Sequence, residues 1–416
     1  MATNVQESAV AVIKTLVRAG YIAYFAGGWV RDYIMKHSSD DIDIATNAPP
    51  EVVLSLFPKT IPVGVAFGVV IVMMNGHQFE VATFREDLSY TGGRRPDKIV
   101  LSTPEADAMR RDFTINGMFY DPLKDEILDF VEGQQDIERG IIRTIGNAHE
   151  RFAEDRLRMI RAIRFANRFG FSVTEETREA IEKHAHTLFP AVAIERVWQE
   201  LSKMAKFSSF GQALLDMHAV GLLPVIFPAL SYVDSSILQQ RVAHFHQIPQ
   251  NAPPILFLMD LFPEMSLEEL LTICQYLKIS TQEGKLVEYL IRGKALLEKG
   301  EMSPSAIEKL EWANFYAHQF FDTCFDVITA KYPESERSVI VDQHDRRREH
   351  LLPHIQRIME KKPLVTAALL QDYGIVPGKL MGALLREAER LAVAHDLHDP
   401  AEVVVYLKET EIWPKQ

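Results

Sequence analysis

Short apolar runs alternate with amphipathic segments over the first third of the chain, a pattern that predicts strands alternating with helices. An amphipathic helix is predicted over Val5–Arg18, closed by Gly20. A polar stretch rich in Gly and Arg over residues 87–97 is too long for a tight turn and is expected to be a loop. The other predicted elements are helices over residues 30–35 and 50–57 and strands over residues 21–25, 41–44, 60–63, 68–74 and 78–84.

Helical periodicity dominates from about residue 145 to the end of the sequence. Prolines punctuate this region at positions 190, 224, 228, 249, 253, 254 and 363, and a proline ends or kinks a helix. Because 416 residues exceed what one core comfortably holds, we predict an α/β head followed by a subdivided all-α part. The predicted parts are a head over residues 1–145, a neck over 146–205, a body over 206–330 and a tail over 331–416.

Composition is that of an ordinary globular protein, with 47% hydrophobic and 25% charged residues. The net charge of −12 is the opposite of the basic footprint usual for nucleic-acid binders. Basic residues nevertheless cluster between positions 85 and 168, which is compatible with a local basic cleft on an acidic body. The two cysteines, Cys274 and Cys324, are too few for a disulfide framework or a Cys-based zinc site and suit a reducing cytoplasm.

Neither a membrane span nor a secretory signal is expected. The longest nearly uninterrupted apolar stretch, residues 63–74, is too short to cross a bilayer, and Glu7 and Lys14 interrupt the opening segment. Two His-Asp pairs lack the further partners of a helical metal cage, so we interpret them as solvated helix or loop residues. These pairs are His344-Asp345 and His395-Asp396.

Two aspartates are the first candidates for chemistry. Asp41 and Asp43 stand two apart on a predicted strand, so both project from one face while Ile42 and Ile44 face the core. A divalent cation such as Mg²⁺, which prefers oxygen ligands and substrate phosphates, would relieve the repulsion between them. An exposed strand end with solvated acids is the alternative. Glu80, on a later strand, is a candidate third metal ligand, with a solvated or salt-bridged side chain as its alternative.

A double-glycine turn precedes these acids. Gly27 and Gly28 let the backbone approach a phosphate closely, and the helix that follows offers N–H groups to an anion. Arg31 adds a cation able to fork onto phosphate oxygens. A Gly-Gly turn followed closely by two aspartates indicates a site for a metal-bound triphosphate.

Ordered motifs over about residues 20–205 resemble the class II tRNA nucleotidyltransferase and bacterial poly(A) polymerase family, a branch of the polymerase-β-like superfamily. The resemblance implies a polymerase-β-like head, with a mixed sheet and flanking helices, followed by an all-α neck, body and tail. The matching stretches are residues 27–32, 41–43, 80–85 with the loop ending at 94–96, 110–116, 154–165 and 195–201.

The resemblance assigns nucleotide binding to Arg111 and Asp112, with Asn116 in support. The residue types agree, because an arginine binds phosphate and an aspartate accepts a hydrogen bond from a ribose hydroxyl. An ordinary helix start with solvated charges is the alternative for this segment.

Residues 154–165 are predicted to form a helix with one face packed inward, and that face carries Leu157, Ile160 and Ile163. Asp155 and Arg158, three apart, resemble the amino-acid template that reads the incoming base in this family, with an intrahelical salt bridge as the alternative. Asp155 would accept from the exocyclic amine of C or A while Arg158 donates to a ring acceptor, whereas U and G present the opposite pattern. Further nucleotide-contacting residues implied by the resemblance are Arg161 and Arg164.

The activity implied is metal-dependent phosphoryl transfer from CTP or ATP to an RNA 3′-hydroxyl, with two Mg²⁺ ions held by Asp41 and Asp43. Residues 61–68 and 374–382 resemble the CCA-adding members, which extend the tRNA 3′ end in the cytoplasm. Gly92 departs from the acid often present in a loop that the family links to the change from C to A. A poly(A) polymerase, a specialist that adds only C or only A, and an inactive RNA-binding module are the alternatives.

Overall fold

The computed structural model describes residues 4–87, 99–302 and 307–414. The predicted loop over 87–97, with Gly92 and the arginines at 94 and 95, therefore lies outside the described residues except at Asp87. The chain divides into two compact units, Met1–Gln240 and Arg241–Gln416. The finer division into head, neck, body and tail stays a prediction.

The strands all belong to the first unit within the described part of the chain. They are β1 Ala23–Ala26, β2 Asp43–Thr46, β3 Thr60–Ile61, β4 Val69–Met74, β5 His77–Thr83, β6 Arg85–Asp87, β7 Ile99–Leu101, β8 Phe119–Asp121, β9 Glu126–Leu128, β10 Ile141–Ile142 and β11 Ser172–Val173. Among the described residues, one mixed sheet has the order β3-β4-β5-β2-β1-β8-β9. In it β2 runs antiparallel to β1 and parallel to β5. The predicted α/β head with a mixed sheet is confirmed.

Helices flank the sheet and form most of the remaining structure, which confirms the predicted change to helix after the head. They are α1 Val5–Arg18, α2 Gly28–Ile34, α3 Pro50–Leu56, α4 Pro104–Met109, α5 Gly133–Arg139, α6 Ala148–Glu154, α7 Leu157–Phe169, α8 Glu175–His184, α9 Leu188–Ala191, α10 Ile194–Met204, α11 Phe210–Ala219, α12 Leu222–Ile226, α13 Ser235–Val242, α14 Pro254–Met259, α15 Leu267–Tyr276, α16 Thr281–Met302, α17 Lys309–Ala317, α18 Phe321–Thr329, α19 Glu334–Met359, α20 Ala367–Asp372, α21 Lys379–Ala394 and α22 Pro400–Lys408. No helix in the described ranges is long and apolar enough to span a bilayer.

The two faces of β2 differ in what covers them. Ile42 and Ile44 are buried, as predicted, in the core beneath α1, and Ala45 belongs to a second apolar cluster. The strand begins at Asp43 and not at Asp41, because its pairing with β1 ends where Ala26 meets Asp43. Asp41 therefore lies two residues before the strand.

The predicted helix over 154–165 is wrong at its start. α6 ends at Glu154, and Asp155 has extended backbone angles of φ −143° and ψ 104°. Its Oδ1 accepts a hydrogen bond from the backbone N–H of Leu157 at 3.1 Å, so the side chain caps the first turn of α7 and competes with a continuous helix. The inward face of α7 is confirmed, since Leu157, Ile160 and Ile163 are buried.

His344 corrects a second prediction, because it is buried and not solvated. In the second unit it is 6% exposed on α19, with Nδ1 2.9 Å from the hydroxyl of Tyr316 and its ring near those of Trp312 and Phe325. His395 and Asp396 are exposed, as predicted.

We expect the second unit to lose stability as the pH falls from about 6.5 to 4. Burial, with the charge of Arg347, lowers the pKa of His344 from 6.5 to about 4. Stability from the neutral imidazole is thus complete above pH 6.5, and it is lost by pH 4 because the unfolded chain binds the proton first. The loss is about 3 kcal/mol. Thermal melts across this interval should show a smaller loss for His344→Gln, whereas the exposed-site control His395→Gln should behave like the parent protein.

Candidate active site

The residues predicted to bind the nucleotide meet at one cleft of the first unit, with a volume of about 430 Å³. The lining residues are Gly27, Gly28, Arg31, Asp43, Arg110, Arg111, Asp112, Asn116, Asp155, Arg158, Arg161 and Phe165. All the predicted nucleotide-binding residues except Arg164 are among them. Asp41, Glu80 and Arg164 lie outside the lining.

The acidic corner of the cleft is formed by Asp43, with Asp41 and Glu80 beside it. Ile44 on β2 pairs with Val81 on the parallel strand β5, so Asp43 and Glu80, one residue earlier on each strand, are neighbours on one face. Close packing of protein around the Asp43 carboxyl, followed by the negative charges of Glu80 and Asp41, raises its pKa to about 7, although the side chain still reaches solvent. A set of carboxylate oxygens whose charges repel one another fits a hard divalent cation such as Mg²⁺.

The glycine turn brings an arginine next to this corner. Gly27 has a φ of 66°, a left-handed conformation that favours glycine. A Cβ at this position would lie 3.0 Å from Nη1 of Arg111, so only a glycine lets the guanidinium reach the turn undisturbed. The positive charge of Arg111 also acts on the Asp43 carboxyl, and this contribution lowers the pKa of Asp43. The turn, the cation and the acidic corner therefore converge.

A chain of hydrogen bonds runs along the floor of the cleft. Nη1 of Arg31 donates to Oδ1 of Asn116 at 2.6 Å, and Nδ2 of Asn116 donates to Oδ1 of Asp112 at 3.1 Å. Nε of Arg161 donates to the other oxygen of Asp112 at 2.8 Å. Burial alone would raise the pKa of Asp112, but Arg161 and Asn116 lower it to about 2. Asp112 is thus an ionised acceptor in a fixed orientation.

Arg31 is more deeply placed than the sequence indicated. It is 3% exposed, and its Nε and Nη2 donate to Oδ1 of Asp32 at 2.9 and 2.7 Å. Its guanidinium lies 4.6 Å from the ring centre of Phe169. With the bond to Asn116, three of the five guanidinium N–H groups are engaged. Arg31 therefore orients Asn116, and its two remaining N–H groups are the ones left to contact a phosphate.

The two residues predicted to read the base do not pair with each other. Asp155 accepts from Arg196 of α10, with 2.9 Å between Nη2 and Oδ2. Nη1 of Arg158 donates to Glu154 at 2.9 Å, and Nη2 donates to the carbonyl of Arg110 at 3.2 Å. Neither residue is therefore consumed by the intrahelical pair that was the alternative, and both line the cleft.

Phe165 organises the arginines of α7. The guanidiniums of Arg161 and Arg164 lie 5.2 and 4.1 Å from its ring centre, within the range of cation–π attraction. Arg164 is buried, and its Nε donates to Glu200 of α10 at 2.6 Å. Because this position is outside the cleft lining, we expect Arg164 to join α7 to α10 and not to touch the nucleotide.

Several residues that hold the site were given no role from the sequence. Four of them stand inside the matching motifs, namely Glu154, Phe165, Arg196 and Glu200, but nothing local indicated their partners. Asp107 was missed altogether. It pairs with Arg110 and Arg111, and spacings of three and four on a helical turn were the available signal.

A histidine cluster in the second unit lacks the hydrogen-bond arrangement of a metal site. Nε2 of His354 lies 2.9 Å from Oδ1 of Asp396, and Nε2 of His398 lies 3.4 Å from that oxygen. Nη2 of Arg357 donates to Nδ1 of His354 at 3.1 Å. Because an arginine only donates, Nδ1 is the acceptor and Nε2 carries the proton. A metal-ligating imidazole has the opposite arrangement, with its second nitrogen donating.

Two regions of the chain match known protein families. Residues 23–143 match the Poly A polymerase head domain. Residues 170–233 match the family described as the probable RNA and SrmB-binding site of polymerase A.

Individual relatives extend the similarity over the whole chain. A CCA-adding enzyme of Ligilactobacillus salivarius is 30% identical over 405 residues, which are 96% of this chain and 95% of that protein. A CCA-adding enzyme of Geobacillus kaustophilus is 43% identical over 217 residues, about half of each chain. The crystal structure of the Bacillus stearothermophilus CCA-adding enzyme in complex with CTP has a TM-score of 0.73 at 27% identity and covers 98% of both chains.

Proposed function

The chain belongs to the CCA-adding enzyme family, whose members are nucleotidyltransferases, and we propose that it adds C and A residues from CTP and ATP to the 3′ end of tRNA. Family membership confirms the resemblance seen in the motifs. The observation that carries the proposal is the cleft itself. It combines a glycine turn, an acidic corner, an ionised acceptor at Asp112 and the residues Asp155 and Arg158.

We assign a divalent metal, expected to be Mg²⁺, to the acidic corner. Asp43 and Asp41 would hold it, with Glu80 as a third ligand, because their charges act on one another and β2 and β5 place Asp43 beside Glu80. When bound, such ions neutralise charge on the triphosphate and activate the RNA 3′-hydroxyl.

The remaining residues would bind the three parts of the nucleotide. The glycine turn and Arg111 lie beside the acidic corner and suit the triphosphate. Asp112 suits a ribose hydroxyl, because Arg161 and Asn116 keep its carboxylate ionised and oriented. The base would then reach the start of α7, where Arg196 holds Asp155 and Glu154 holds Arg158.

Both template residues retain the groups that the base needs. A carboxylate offers about four lone-pair sites and a guanidinium five N–H groups. Asp155 therefore keeps an acceptor site for an exocyclic amine beside its bonds to Arg196 and to the backbone N–H of Leu157. Arg158 keeps two N–H groups beside its bonds to Glu154 and to the carbonyls of Arg151 and Arg110. We propose that C and A are recognised without release of these protein partners.

We also propose that the enzyme works in the cytoplasm, where its tRNA substrate is matured.

The function is tested by incubating the purified protein with Mg²⁺, labelled CTP and ATP, and tRNA that lacks its 3′ end. We expect growth by three nucleotides confined to tRNA. Long tails of A on unrelated RNA would select a poly(A) polymerase, and incorporation of only C or only A would select a specialist. No incorporation with any RNA would leave an inactive RNA-binding protein.

A further inference from the structure

Asp107 on α4 is a buried carboxylate that faces two arginines of the cleft at once. It is 1% exposed. Its Oδ1 accepts from Nε of Arg110 at 2.8 Å and lies 2.7 Å from Nη2 of the same residue. Its Oδ2 accepts from Nε and Nη2 of Arg111 at 3.2 and 3.0 Å. Each oxygen of this carboxylate thus receives two N–H groups of one arginine, a charge-assisted contact that orients both guanidiniums.

Asp107 is also bonded to strand β6. The backbone N–H of Arg85, the first residue of β6, donates to Oδ1 of Asp107 at 3.3 Å. Burial alone would raise the pKa of Asp107, but the two arginines lower it, so the carboxylate is charged at neutral pH. A fully buried charge of this kind is maintained only by such partners, and its position is therefore defined by them.

These contacts fix the orientation of the Arg111 guanidinium. Its guanidinium lies 5.0 Å from the ring centre of Phe119, and Nη1 is directed to the glycine turn, within 3.0 Å of where a Cβ of Gly27 would be. The same guanidinium acts electrostatically on Asp43. Asp107 accepts from Nε and Nη2, and Nη1 donates to the carbonyl of Asn116 at 3.5 Å. Two of the five N–H groups of this cleft-lining arginine are left for a ligand.

We propose that Asp107 is a positioning residue that aims Arg111, and with it Arg110, at the phosphates of the incoming nucleotide. This inference rests on the proposed function, since it assumes a nucleoside triphosphate in the cleft. It assigns to Asp107 no contact with substrate. An oriented arginine loses less conformational entropy when it binds phosphate, so the effect belongs in nucleotide affinity and not in the reading of the base.

The test is the steady-state kinetics of Asp107→Asn with CTP and with ATP. Asparagine keeps the shape of the side chain but turns an N–H₂ group towards the N–H donors of one arginine. The contact with that arginine is therefore lost. We expect the KM for both nucleotides to rise by about 10- to 100-fold, while kcat and the preference for C over U change by less than about threefold. In the Arg111→Ala background, Asp107→Asn should add little to KM, because the residue it aims is gone.

Asp136→Asn is the matched control in the same unit. Asp136 is also fully buried and also pairs with an arginine, Arg143, but neither residue lines the cleft. We expect it to lower the melting temperature and leave KM near that of the parent protein.

If Asp107→Asn does not fold, Arg111→Lys is the second variant, because it keeps the charge and loses the fork. An unchanged KM in either variant, together with a raised KM in Arg111→Ala, would overturn the positioning role. Failure of the proposed function is a different result, because the parent protein itself would then incorporate no CTP.

Discussion

Asp43→Asn is expected to lower the rate of nucleotide addition to tRNA by about a thousandfold or more, because it removes a central ligand of the proposed metal, which would neutralise charge on the triphosphate. The acidic corner depends on Asp43 more than on its neighbours, since Asp43 alone of the three candidate ligands lines the cleft. The measurement is single-turnover addition of C to tRNA lacking its 3′ end. Asp41→Asn is expected to act in the same direction.

Stability should change in the opposite sense, which separates this prediction from damage to the fold. The pKa of Asp43 is raised to about 7 by packing and by the charges of Glu80 and Asp41, so its ionised form is unfavourable in the folded protein at neutral pH. Asp43→Asn removes that repulsion, and we expect a melting temperature equal to or above that of the parent protein in metal-free buffer.

Asp40→Asn is the matched control, because Asp40 is an exposed acid next to Asp41 and does not line the cleft. It should retain full activity. Substantial activity in Asp43→Asn, with Asp40→Asn equally active, would contradict the assignment of the metal to this corner.

Arg158→Ala is expected to reduce the preference for CTP over UTP by about a hundredfold, since a hydrogen-bonding site rejects the wrong base through the groups it would leave unpaired. Arg158 is 8% exposed and is held by Glu154 and by two backbone carbonyls, those of Arg151 and Arg110. Its removal takes away the donor without moving the metal ligands, so addition of some nucleotide should persist. The measurement is the competition of CTP with UTP in a single addition.

Arg151→Ala is the control for this variant. Arg151 pairs with the same Glu154 at 2.8 Å but does not line the cleft. It should share any loss of stability that comes from removing one of the two arginine partners of Glu154, and it should keep the preference for C. If both variants lost selectivity equally, the pairing of Glu154 and not the guanidinium of Arg158 would account for base choice.

Local patterns predicted most of the head. Helix α1 has the predicted bounds, Val5–Arg18, because its apolar residues repeat at the helical period and Asn4 caps its first turn. The strands shift by one or two residues at their ends, where pairing with a neighbour decides the boundary. The start of α7 was missed although its signal is local, since an aspartate side chain often bonds to the backbone N–H two residues on and so competes with a continuous helix.

The sequence by itself determined which residues are candidates for the chemistry and which elements bear them, because residue type and hydrophobic period are properties of short segments. Only the tertiary structure decided how the charges pair. Asp155 bonds to Arg196, 41 residues away, and Arg161 bonds to Asp112, 49 residues away. Such pairs form because α10 and the head pack on α7, which brings charges from distant parts of the chain within reach of one another. Helical spacing alone offered Arg158 as the alternative partner of Asp155.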